Sequence, residues 1–285
     1  MLFLLLSVVC SVTVGVLFKM LRNNPKSNPI AIIASNYGMA LLLCFFCFPP
    51  QFNAISGQAP WLLYSALGLL LPGVFLILAQ SIRYMGIVKT DAAQRLSLFI
   101  PLLASWLLFG EQFSTLKWLA FVVAFPALLL ILSKPTNNSN SKWGFPALVL
   151  LGFGVIDILF KQMALQTQLP FTTSLMVIFA LALLMMSGVV AYEIVILQKK
   201  IAGINCLWGM AIGFFNFGNI YFYLKAHQAF SESPSTVFAG MNMGVIVLGS
   251  GIGVWIFKEK LSQKNYFGIL LALVAIILIT YAQLK

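Results

Sequence analysis

About ten apolar stretches of about 19–27 residues follow one another along this chain, each long enough to cross a hydrocarbon core about 30 Å thick. They run over 1–21, 29–48, 61–82, 90–109, 115–133, 144–163, 171–197, 203–226, 234–257 and 264–283. Of the 285 residues, 61% are hydrophobic and 8% charged, far below the quarter or so that keeps a soluble domain in water. A backbone in lipid must satisfy its own hydrogen bonds, and continuous apolar runs, unlike short alternating ones, select helices over a barrel. The expected fold class is an all-α integral membrane protein with ten transmembrane helices.

The connections carry residues that stop helices: Asn23-Asn24-Pro25, Pro49-Pro50, the polar run from Pro135 to Ser141, and Ser231-Glu232-Ser233-Pro234. All six tryptophans (Trp61, Trp106, Trp118, Trp143, Trp208, Trp255) fall near span ends, where amphipathic rings favour the headgroup layer. The formal charge of +11 comes from basic residues scattered singly near span ends, a pattern that sets topology and does not form a nucleic-acid patch. Cys10, Cys44, Cys47 and Cys206 lie in apolar spans, and the CxxC spacing of Cys44 and Cys47 has no second ligand pair to make a zinc site. The opening MLFLLLSVVC has no basic segment before its apolar run, so it reads as an uncleaved first helix.

The chain also repeats itself at about half its length. Leu17-Phe18-Lys19 recurs as Leu159-Phe160-Lys161, Pro29 as Pro170, and Phe109-Gly110-Glu111-Gln112-Phe113-Ser114 as Phe257-Lys258-Glu259-Lys260-Leu261-Ser262. The matches come in order at nearly constant offset, so they predict a duplicated five-helix unit, 1–135 and 143–285. Because five is odd, the second copy enters the membrane the other way up, giving two inverted repeats. Lys19, Arg22, Lys26, Arg83, Lys89, Arg95, Lys134, Lys142, Lys199, Lys200, Lys258, Lys260 and Lys264 flank the odd-to-even connections, and Lys117, Lys161, Lys225 and Lys285 lie at the other face. By the positive-inside rule this places both termini outside.

These features resemble the drug/metabolite transporter superfamily, specifically its ten-helix EamA-like permeases. The likeness covers essentially the whole chain: the five-plus-five duplication, a lysine ending the first helix of each half, and the aromatic-x-Glu-x-apolar-Ser turn before each half's last helix. Arg83-Tyr84 is similar to the family's Arg-Tyr element, whereas the second half reads His227-Gln228-Ala229-Phe230 there, and the connection after the second span lacks the family's frequent basic residues. The resemblance implies secondary transport or exchange of a small organic solute, often export, by alternating access at a central cavity between the repeats, in the bacterial inner (plasma) membrane. It also implies cytoplasmic termini, against the charge bias. The partners it implies are the lipid bilayer, a small-molecule solute, and a coupling proton or a counter-solute. Monomer and homodimer both stay open, and no cofactor is expected.

Charges inside a helix cost about 2.5–3.5 kcal/mol each at the bilayer centre, so they are the first candidates for function. Asp157 is the one carboxylate far from a span end, and Lys161 follows it one turn on, on the same face. Either they bind, Asp157 taking a proton or cation and Lys161 an anion, or they form a structural ion pair. That pairing would keep Asp157 ionised and oppose proton binding. Lys19 is expected to snorkel or to line the cavity, and Glu193 to reach interfacial water. In the eighth span Gly209, Gly213, Asn216, Asn219 and Tyr223 make a small and polar stripe. With Asn36, Tyr37, Gln80 and Asn242 these polar residues are candidates to bind substrate, the alternative being hydrogen bonds between helices. The two GxxxG spacings Gly240–Gly244 and Gly249–Gly253 predict a packing seam, internal to the bundle in preference to a dimer interface, and the Glu111 and Glu259 turns predict helix caps.

His227, the lone histidine, has no spaced metal-ligand partners, and neither GxSxG nor a phosphate-cradling loop occurs. The chain is therefore not expected to be an enzyme. Two further function classes stay open: a lipid-handling or scaffold subunit, and broad efflux of lipophilic cations.

Overall fold

The computed structural model describes residues 1–21, 27–48, 50–52, 55, 59–132, 144–166, 169–256 and 262–284, with side chains for all of these except 82, 83, 85–89, 91, 92, 95, 128, 131, 132, 265, 276, 279, 280, 283 and 284. The Glu259 turn, Trp143 and the basic residues at 22, 26, 134, 142, 258, 260 and 285 lie outside the described residues. The described elements are all helical: α1 (Leu2–Leu21), α2 (Pro29–Cys47), α3 (Trp61–Leu96), α4 (Phe99–Leu107), α5 (Thr115–Leu132), α6 (Gly144–Ala164), α7 (Phe171–Val195), α8 (Ile204–Ala229), α9 (Pro234–Trp255) and α10 (Gln263–Leu284).

Helical backbone runs without a break from Trp61 to Leu96, yet the third and fourth spans remain separate crossings. The hydroxyls of Ser81 and Thr90 are 2.7 Å apart, whereas nine residues of straight helix would separate them by about 13.5 Å. The chain doubles back between them, and the return arm continues into α4. Six helical segments are long and apolar enough to cross a membrane on length and composition: Leu2–Leu21, Pro29–Cys47, Trp61–Ser81, Gly144–Ala164, Phe171–Val195 and Pro234–Trp255. The long α8 is not among them. Its asparagines, Lys225 and His227 lower its hydropathy, and its buried residues include Asn205, Asn216, Tyr223 and His227, while Leu207 and Phe214 stay exposed, so its polar face turns into the bundle.

Helix packing carries the inversion. α1 packs on α8 and α9, and its counterpart five helices later, α6, packs on α3 and α4. α2 packs on α8 as α7 packs on α3, while α2 meets α7 and α5 meets α10. Exchanging the two sets of five helices thus maps these contacts onto one another. The repeated Leu-Phe-Lys segments occupy matching places too: Phe18 lies 6.4 Å from the Phe75 ring and Phe160 lies 6.3 Å from the Tyr223 ring, centroid to centroid. Each pair joins the first and third helices of its own half.

Close seams draw the halves together. A Cβ on Gly213 would sit 2.6 Å from the Asn36 carbonyl oxygen and 2.7 Å from Met39 Cβ, and one on Gly209 2.5 Å from Ser35 Cβ. The two glycines of the α8 stripe therefore admit α2 and do not line a cavity. Gly240 and Gly244 face Leu4 and Val8 of α1, the internal seam expected from their spacing, whereas a Cβ on Gly249 meets nothing within 4 Å, so the second spacing makes no close seam there.

Candidate functional site

The ten helices leave two membrane faces, a terminal face holding Leu2 and Leu284 and a far face holding the α2, α6, α8 and α10 starts. The polar residues singled out from the sequence fall at three depths between them.

Nearest the far face, Asn216 Nδ2 donates to Asn36 Oδ1 at 3.0 Å, with both residues buried. They border a narrow crevice lined also by Val14, Phe18, Ile33, Phe75 and Ile212. It draws on α1, α2, α3 and α8, hence on both halves, and in this conformation no part of it admits a water-sized sphere. Tyr37, next to Asn36, is fully buried with its hydroxyl unpartnered among the described residues.

At mid-depth, Ser7 Oγ donates to Asn219 Oδ1 at 2.8 Å, tying α1 to α8. Asn242 Nδ2 turns back to the Phe238 carbonyl of its own helix at 3.0 Å. Gln80 is exposed near the bend after α3, and Lys19 is half-buried near the far end of α1. Neither joins the crevice lining.

The third group lies nearer the terminal face and departs from expectation. Lys161 does not pair with Asp157. Fully buried, its Nζ donates to the carbonyl of Ser231 at 2.8 Å, just past the end of α8, where unsatisfied carbonyls concentrate negative potential. Asp157 instead accepts from the Tyr223 hydroxyl at 3.0 Å through Oδ1, its one hydrogen bond among the described residues. A hydrogen bond to a charged group contributes about 1.5–3 kcal/mol, comparable with the cost of a charge at the bilayer centre. One turn beyond Tyr223, His227 is fully buried between Tyr223 and Phe238, with ring centroids 4.6 and 4.8 Å away, and both ring nitrogens lack a partner among the described residues.

Two further clusters, one at each face, were not read as functional in the sequence. At the terminal face Glu111 and Lys117 are both buried and pair at 2.7 Å. Lys117 Nζ also reaches Ser233 Oγ at 3.3 Å, while Glu111 accepts from the Ser235 amide at 2.9 Å and from its hydroxyl. Glu111 thus caps the start of α9 in the other half, beyond the local turn expected of it. Ser114 Oγ accepts from the Lys117 amide at 3.4 Å, the local cap.

At the far face Glu193, buried and not in interfacial water as expected, pairs with Lys199 and accepts from Asn28 Nδ2 at 2.8 Å. Asn28 is itself the N-cap of α2, and its amide donates to Asn205 Oδ1 at 2.9 Å. Each cluster is therefore a Glu–Lys pair six residues apart that grips a helix start in the opposite half. The repetition of Glu111 in sequence hinted at importance; nothing in the sequence hinted at its partner.

Over nearly its full length the chain resembles a protein of Haemophilus influenzae described only as uncharacterized, 40% identical over 294 residues and covering 98% of this chain and 97% of the relative. The family model of the EamA-like transporter family matches residues 1–133. The chain belongs to the EamA-like transporter family. A crystal structure only 12% identical superposes with a TM-score of 0.74 over 98% of this chain and 96% of that one, a likeness that shows the fold. As a family member the chain is a multi-pass membrane transporter of the drug/metabolite type, a family of transporters and not of enzymes.

Proposed function

We propose that this EamA-like protein moves a small organic metabolite across the bacterial inner membrane by alternating access, with units 1–135 and 143–285 rocking about the crevice between them. One observation carries the reading: each face is held shut by a latch joining the two halves, Glu111–Lys117 to Ser233 and Ser235 at the terminal face and Glu193–Lys199 to Asn28 at the far face. A scaffold or lipid-handling subunit has no use for two charged closures on opposite faces, each built on a buried glutamate. A transporter needs both, each released in turn. With both latches made and the crevice collapsed, this conformation is closed to both sides.

The solute meets Asn36 and Asn216 at the crevice, with Tyr37 buried behind Asn36 and reached only as the helices part, and, when the terminal-face latch opens, Asp157, Lys161 and Tyr223 above it. Asn219 lies between the two groups. Lys19, Gln80 and Asn242 stand outside this path in the closed state. The direction proposed is export, driven by a coupling proton or a counter-solute. The test compares metabolites retained by cells with and without the gene, then follows the compound that changes in sealed vesicles containing the purified protein. Accumulation above protein-free vesicles, abolished by Asp157→Asn in folded protein, is expected. Equal accumulation with and without protein contradicts the reading.

A further inference from the structure

Asp157 lies on the inward face of α6, opposite the exposed Leu148, Leu151 and Val155. Its half-buried carboxyl therefore looks into the bundle. Tyr223 bonds Oδ1, and Oδ2 has no hydrogen-bond partner among the described residues. The lysine one turn away is committed to the Ser231 carbonyl, so the ion pair that would have kept this carboxyl charged is not made.

No other cation takes that place among the described residues packed around α6. From α8 come Tyr223 and, a turn further, His227, whose nitrogens are unpartnered. Phe99–Leu107 of α4 holds no titratable side chain, and Trp61–Ser81 of α3 holds only Tyr64, whose hydroxyl is spent on Ser174 at 2.7 Å. The titratable residues of α7, Tyr192 and Glu193, lie at its far-face end. Glu111 and Lys117, beyond Lys161, bond each other. The charged residues of the bend, Arg83, Lys89, Asp91 and Arg95, have side chains outside those described, and they lie toward the far face.

A carboxyl in this setting is best satisfied when neutral: Oδ1 keeps its bond from Tyr223 and Oδ2 carries a proton. We infer that Asp157 is the binding site of a coupling proton, taken up on Oδ2. His227, packed on Tyr223 one turn toward the terminal face, is a side chain able to pass that proton in or out. The inference rests on the alternating-access reading for the use made of the proton, but not for its binding.

Infrared difference spectroscopy of the full chain in lipid bilayers, titrated with protons from about pH 5 to about pH 9, covers a shifted carboxyl, whereas an ordinary one near 4 stays largely ionised over that range. The wild type minus Asp157→Asn spectrum is expected to show a protonated-carboxyl band at the acid end that fades as pH rises. Tyr223→Phe, by removing the donor to the charged form, moves the midpoint upward. Lys161→Gln moves it less, because Lys161 does not bond Asp157. Asp157→Glu, which keeps a titrating acid should the asparagine variant misfold, retains a fading band.

A carboxyl that stays ionised throughout, or that stays protonated to the alkaline end, overturns the inference. So does a larger upward shift from Lys161→Gln than from Tyr223→Phe, the mark of an ion pair. A fading band in a protein that moves no solute supports the proton site and ends the transport reading instead.

Discussion

Lys161 and Lys117 show how a buried lysine is decided by what its long stem can reach. Lys161 bypasses the carboxylate one turn away for a carbonyl past the end of α8, and Lys117 bridges Glu111 to the start of α9. Helical spacing made Asp157 and Lys161 a plausible pair, and the pair failed because the competing acceptor, Ser231, is 70 residues away in sequence. Asp157 itself was legible from its depth in an apolar span. His227 was not, because a histidine near a span end reads as interfacial until α9 is seen to cover it. Removing one member of a buried ion pair costs about 3–5 kcal/mol, because the other charge is left without compensation. Lys117→Met is therefore expected to destabilise the protein by about that amount, with Ser235 still holding Glu111 and keeping the loss at the lower end. Adding Glu111→Gln should recover much of it, as read from reversible unfolding in mixed micelles. Additive losses from the two substitutions would show that the pair contributes nothing.

At the scale of helices, span number and order were readable because a bilayer demands length and apolarity, and the inversion was readable from an odd-numbered duplication. What the spans could not convey was which faces meet. The α8 stripe, whose asparagines were candidates to bind substrate or to bond between helices, divides by size: Gly209 and Gly213 admit α2, while Asn216 and Asn219 bond to neighbouring helices. Periodicity gives the face of a helix but not its neighbour, and small residues serve a seam as readily as a pocket. Gly213→Val should destabilise the bundle by about 1–3 kcal/mol through overpacking and lower its melting temperature. Gly249→Ala, where an added Cβ meets nothing within 4 Å, should be neutral or mildly stabilising, since alanine favours a helix by about 1 kcal/mol over glycine. A Gly213→Val protein that melts like the wild type would place the α2–α8 seam elsewhere.

For the whole molecule, the proposed cycle makes each latch the closure of one state. Each joins the halves at one face, and the seams of α2 with α7 and α8 lie between them, so in that cycle rocking about the middle opens one face while compressing the other. Inverted repeats supply the two packings such a cycle requires, and a proton on Asp157 would bias which one is filled. The latches were invisible in sequence because each depends on residues more than 100 positions apart, Glu111 with Ser235 and Glu193 with Asn28. The most direct test measures spin-label distances by pulsed dipolar spectroscopy in bilayers, with Cys10, Cys44, Cys47 and Cys206 replaced by serine. One label pair, at Gln112 and Glu232, spans the halves at the terminal face, and another, at Ser27 and Gln198, spans them at the far face. Two populations are expected at each face, with opposed weights: conditions that lengthen one distance shorten the other. A single fixed distance at both faces, or faces that lengthen together, would contradict alternating access.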